Sequence, residues 1–158
     1  MQVICDILLL DELAGSSKLL QQLKIFSPST TFDENRVYLG FLGLELKRIQ
    51  AVVILMHFRN NGVRSLNIPI KYKGRLLTEE EARESAERSL LGSGKIIGSM
   101  KRPGKVRNPM FWNFVWDQPN SGHGICEGGG NMVVDALDGH IWSADELEEF
   151  SYDYLNAI

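Results

Sequence analysis

The stretch from Met110 to Trp142 leaves this chain few folds to choose from. Met110-Phe111-Trp112-Asn113-Phe114-Val115-Trp116 is rich in aromatic and branched residues and reads as a strand. The eight residues from Asp117 to Gly124 are turn formers almost throughout, and Gly128-Gly129-Gly130 follows them. Asn131-Met132-Val133-Val134-Asp135-Ala136 is a second strand, Asp138-Gly139 a tight turn, and His140-Ile141-Trp142 starts back. Two strands joined this way must be antiparallel, with a long glycine-rich loop between them. Trp112 and Trp116 are four apart in a strand and point to one face, which Trp142 is expected to share with one of them.

The rest of the chain supplies more strands and a few helices. Val3 to Leu10 is apolar and reads either as a strand or as the start of a helix. Ser16 or Ser17 caps a helix with Leu19, Leu20 and Leu23 on one side, and Pro28 ends it. From Arg36 to Leu46 both alternating faces are largely apolar, which predicts a central strand. Lys47-Arg48 then reads as a turn, and Ala51 to Phe58 as a second buried strand. Asn60-Asn61-Gly62 is a hairpin signal, and Val63 to Tyr72 a third strand placed near an edge by Pro69. Thr78-Glu79-Glu80-Glu81 is a capping box at the head of a helix to about Leu91, with Ala82, Ala86 and Leu90 as its apolar face. Lys95 to Arg107 is basic and reads as a mobile surface loop. Ser143-Ala144-Asp145-Glu146 opens a last helix that docks through Leu147, Phe150 and Tyr154 and turns Glu148, Glu149 and Asp153 outward. The fold class expected is α+β: an antiparallel β-sheet with two or three helices packed on it. Residues 1–158 form one domain, with 1–75 and 76–158 as possible smaller units.

Charge divides the chain unevenly. All 17 Lys and Arg lie at or before Arg107, and nine acids with no Lys or Arg follow it. Such polarity either steers a partner of opposite sign or is cancelled by basic residues folding over the acidic tail. The longest apolar run, Ala51 to Met56, is too short to cross a bilayer. The N-terminal residues lack the basic region of a secretory signal, and two cysteines, Cys5 and Cys126, make no disulfide framework. A cytoplasmic protein with reduced thiols, away from membranes, is therefore expected.

No catalytic signature is complete. The loop from Gly122 to Gly130 leads into a strand rather than a helix N-terminus, so it does not make a phosphate cradle. Cys126 with His123 or His140 lacks an activating third group, and Glu127 beside it disfavours a thiolate. The same residues lack the paired spacing of a structural zinc site. His57, inside an apolar run, is expected to be packed or hydrogen-bonded. The basic 95–107 stretch has no interleaved aromatics, so direct nucleic-acid binding is not expected. No cofactor and no metal are implied. What remains is the acidic C-terminal face. Asp138, Asp145, Glu148, Glu149 and Asp153, with Trp142 and His123, are the candidate partner-binding residues, suited to a protein with a basic surface.

The run Asn131-Met132-Val133-Val134-Asp135-Ala136-Leu137-Asp138-Gly139-His140-Ile141 resembles the final hairpin of PepSY-like domains. With the Trp112-to-Trp116 strand before it and the acidic helix after it, the last 50 or so residues are also similar to small immunity proteins of bacterial toxin and bacteriocin systems. That likeness implies a cytoplasmic, non-enzymatic protein that binds and neutralises a cognate toxin. The PepSY-like pattern alone implies instead a peptide-binding, peptidase-inhibitor or chaperone module.

Overall fold

A computed structural model describes residues 2–100, 106–117 and 130–152 of the 158. It is an α+β fold with four α-helices and two antiparallel sheets among the described residues. These residues divide into two compact units, one of 2–71 with 106–107 and 148–152, the other of 72–100, 108–117 and 130–147.

The first unit is organised on one long strand, β1 (Ile4–Ala14). Its start pairs with β3 (Leu46–Lys47) and its later part with β2 (Val37–Phe41). Cys5 and Leu9 pair at the same time with Pro69 and Ser65 of β4 (Ser65–Pro69), so β4 occupies the opposite edge of β1. Leu42 and Leu44 lie in the connection from β2 to β3. Their burial, with Cys5, Ile7 and Leu9 and with Leu20 and Leu23 from α1 (Lys18–Gln21) and the 3-10 turn Gln22–Ile25, makes one core. Ser17 caps α1, accepting from the Leu19 N–H at 3.2 Å.

The 51–58 stretch is not a strand. It lies inside α2 (Arg48–Asn60), and Lys47-Arg48 is the entry to that helix rather than a turn. Ala51, Ile54, Leu55 and Phe58 are the buried positions, at helical spacing, and they close the core over β1. A short apolar run looks alike in a buried strand and a buried helix, and only its flanks decide. Here Gln50 Oε1 accepts the Lys47 N–H at 3.0 Å, as the third residue of a capping box does. At the other end the Val63 N–H bonds the Phe58 carbonyl at 2.9 Å and the Gly62 N–H the Arg59 carbonyl at 3.0 Å. Gly62 has φ +77°. This is a Schellman stop, so Asn-Gly ends a helix here and does not turn a hairpin. The three strands expected between Arg36 and Tyr72 are accordingly replaced by β2, β3, α2 and β4, and the last part of the expected third strand is a 3-10 turn, Ile70–Lys73.

The second unit follows the sequence reading more closely. Thr78 caps α3 (Glu79–Leu90), its Oγ1 accepting the Glu81 N–H at 3.2 Å while Glu81 Oε1 accepts the Thr78 N–H at 3.4 Å. Ala82, Ala86 and Leu90 pack on a three-stranded sheet, β5 (Lys95–Ser99), β6 (Phe111–Asp117) and β7 (Gly130–Asp135), with β6 central. Residues 95–99 are thus a strand and not the loop expected; Ile96 supplies a core side chain between the basic residues. Lys101, Arg102 and Lys105 lie outside the described residues.

Trp112, Phe114 and Trp116 face α3 together with Met132 and Val134. Trp142 does not join them. It meets Phe111 edge to face, ring centres 5.2 Å apart, and Phe111 pairs with Asp135 on the other face of the sheet. The turn that brings Trp142 back has Gly139 at φ +79°. A Cβ there would stand 2.6 Å from Ser85 Oγ on α3. Gly139→Ala therefore combines a left-handed strain with a clash, and a loss of about 1–3 kcal/mol in unfolding free energy is expected by urea titration. An unchanged midpoint would show that the turn relaxes freely.

Candidate functional site

The region singled out by charge is the return turn and the helix after it, α4 (Ala144–Phe150). β7 ends in Asp135, which is buried although it is a carboxylate. Its Oδ2 accepts the Tyr72 hydroxyl at 2.6 Å and the Trp142 indole N–H at 2.9 Å, and its Oδ1 accepts the Leu137 N–H at 2.8 Å. Three donors converge on one buried acid, the condition under which a carboxylate tolerates an apolar surround. Asp135→Ala would leave the phenol and the indole N–H buried with this acceptor gone. A loss on the order of 3 kcal/mol or more is expected in denaturant unfolding, and less than about 1 kcal/mol would show that both donors find other acceptors.

Three residues further on, the side chains form a clamp. Asp138 Oδ1 accepts the His140 backbone N–H at 3.0 Å and contacts His140 Nδ1 at 2.6 Å. His140 Nε2 contacts Glu146 Oε2 at 2.7 Å. Glu146 Oε1 also accepts the Ser143 N–H at 3.1 Å, and Ser143 Oγ accepts the Glu146 N–H at 3.2 Å, the expected capping box of α4. Both nitrogens of one imidazole therefore face carboxylates, which favours imidazolium. The hydrogen bond to Glu146, then the bond and charge of Asp138, raise the His140 pKa above its ordinary value. The bond from His140 holds Glu146 low, and the backbone N–H of His140 does the same for Asp138.

The remaining candidates separate. Asp145 and Glu148 are exposed and make no ion pair among the described residues. Glu149 lies 3.0 Å from Arg48, so basic residues do meet part of the acidic tail. Trp142 is buried with its indole N–H on Asp135 and offers a partner almost no surface. His123, Cys126 and Asp153 lie outside the described residues. Phe150 is buried as expected, Leu147 is half exposed, and Tyr154 lies outside the described residues.

Other chemistry finds little footing among the described residues. Asp135, Asp138 and His140 bring ligand atoms within 4.8 Å of one another, close enough for a metal ion. Each of those residues is already engaged: Asp135 by three donors, His140 by Asp138 and Glu146, so an ion would have to displace the clamp. Cys5 is buried, and desolvation, opposed by Arg48 and aided by Asp6, pushes its thiol up to about 11, the reverse of an activated nucleophile. His57 is hydrogen-bonded, to Gln22 Oε1 at 2.9 Å.

Sequence reasoning missed Tyr72 and Asp135 as a pair. The available signal was an acid closing an otherwise apolar strand, but nothing local says which distant hydroxyl will meet it. No family model, curated protein or solved structure matches this chain.

The clamp sets a pH window. The raised pKa of His140 contributes stability that is complete below its ordinary value of 6.5 and is lost as pH rises through the higher folded value. The lowered pKa values of Asp138 and Glu146 contribute above their ordinary 3.8 and 4.5 and are lost as pH falls through the folded values. Protection of the 138–146 backbone amides against exchange, corrected for intrinsic rates, should be greatest between about pH 4.5 and 6.5 and decline above. The decline should vanish in His140→Gln. Protection that climbs steadily through neutral pH would rule the clamp out.

Proposed function

We propose that this chain is a binding protein of the immunity type, which neutralises a cognate toxin by covering a basic surface, in the cytoplasm and without chemistry of its own. The observation that carries the reading is the pair of exposed acids on α4. Asp145 and Glu148 are three residues apart on one helix and so lie on one side of it. They hold no partner charge among the described residues, whereas their neighbours Glu146 and Glu149 are already taken by His140 and Arg48. The capping box and the His140 clamp fix the start of the helix, so two spare negative charges stand on a pre-set support, which lowers the ordering cost of binding. Asp138 contributes to the same negative field from the turn, its charge reduced by His140. No described helix is long and apolar enough to cross a membrane.

A peptide-binding module is the second reading. Its support is that β5 pairs on one side only among the described residues, and Ile97 on it is exposed. Such an edge accepts an added strand.

Co-expression with the protein encoded next to it separates the two. Rescue of growth and a salt-weakened complex are expected for the immunity reading. Asp145→Lys with Glu148→Lys should slow association by roughly tenfold at low salt and less at high salt. No rescue and no complex, or a complex whose association rate ignores both substitutions, would sink it.

A further inference from the structure

α2 buries one face in the core of the first unit and is apolar on the opposite face as well. Ile49, Val53 and Met56 follow one another at helical spacing on the side away from Ala51, Ile54, Leu55 and Phe58, and are 69%, 47% and 52% exposed. Scattered single apolar side chains are ordinary on a surface; three large ones in a stripe about 10 Å long are not. The stripe has a neighbour. His57, at its border, is bonded to Gln22, and Ile25 stands one turn on from Gln22 in the same 3-10 turn, 79% exposed.

The elements that form the stripe and its neighbour carry charge of one sign. α1, the 3-10 turn and α2 carry Lys18, Lys24, Arg48 and Arg59 and no carboxylate, and Lys47 precedes α2. A carboxylate that does reach this rim, Glu149 on Arg48, comes from an acidic helix.

We propose that the outer face of α2 docks an amphipathic helix of a partner protein that carries acidic residues beside its own apolar stripe. A second copy fits poorly, because α2 laid against α2 brings basic rim to basic rim. An anionic lipid surface fits poorly too. The stripe has none of the tryptophan, phenylalanine or leucine that anchors interfacial helices, and Glu149 would face the lipid charge. This surface lies on a different helix, and has the opposite charge, from the acids of α4, so it does not rest on the immunity reading.

The test uses the full chain and two synthetic helical peptides of about four turns, both with a leucine stripe, one flanked by Glu and one by Lys. The Glu-flanked peptide should bind saturably, with NMR shifts centred on the Ile49 to Met56 amides. The Lys-flanked peptide should bind at least about tenfold more weakly. Val53→Gln with Met56→Gln should weaken the Glu peptide by about tenfold. Both sites are exposed, so the melting temperature should hold; if it falls, Ile49→Gln alone serves the same purpose. Glu148→Lys should leave peptide binding unchanged, which separates this surface from the acidic one. No saturable binding, equal affinity for both peptides, or indifference to the stripe substitutions overturns the proposal. So does a concentration-dependent dimer, or binding to phosphatidylserine vesicles, that the stripe substitutions abolish, since each names a different occupant.

Discussion

The second unit depends on one buried carboxylate. Asp135 ends β7, and its two oxygens draw in the Tyr72 hydroxyl, the Trp142 indole and the Leu137 N–H. Each bond fixes something different. Tyr72 ties in the segment that leads to α3, Leu137 shapes the turn, and Trp142 sets where the chain goes afterwards. The indole cannot be bonded to Asp135 and also lie among Trp112 and Trp116, because Asp135 and Phe111 occupy the other face of the sheet. A polar contact thus decides which apolar face a tryptophan joins. Burial alone would have accepted either, since it is non-directional.

The first unit repeats the device with different donors. Asp6 is fully buried near the start of β1, and its carboxylate accepts the N–H groups of Ile7 at 2.7 Å, Gly43 at 3.0 Å and Leu44 at 2.9 Å. The last two belong to the connection between β2 and β3, whose Leu42 N–H also bonds the Ile7 carbonyl at 3.0 Å. Asp6 therefore lets irregular backbone run beside a central strand with its donors satisfied. It is also the one charged residue of the otherwise apolar segment Val3 to Leu10. Both acids look like blemishes in hydrophobic strands, and both are points around which a connection is wrapped.

How far the sequence could be read follows from this. α3 and the start of α4 were legible because a capping box is local: four residues carry the whole signal. β6, β7 and the turn at Gly139 were legible for the same reason. α2 was not, because six consecutive apolar residues mask the helical spacing of its buried positions, and the Asn-Gly after it serves equally a hairpin and a helix stop. β5 was hidden by the basic stretch that it opens, although only Ile96 needs to be inside. At the site, the acids could be counted but not their pairing. Asp138 and Glu146 meet through His140 because the turn at Gly139 and the cap at Ser143 bring them together, and spacing alone does not show it.

That pairing changes what the charge asymmetry means. Nine acids follow the last basic residue of the chain, a count that suggests a strong negative face. Asp135 is buried among donors, Asp138 and Glu146 share a histidine whose raised pKa favours a positive charge, and Glu149 lies on Arg48. Asp117, Asp145 and Glu148 are the exposed acids without an ion pair among the described residues of this stretch. The local field is consequently weaker than a residue count implies, and more directional, since two of those three charges stand on one short helix. Lowering the pH through the raised His140 pKa adds a positive charge beside them, so the negative character of α4 must weaken just as its clamp tightens. The negative field of α4 and the rigidity of its first turn are thus coupled in opposite senses to one proton.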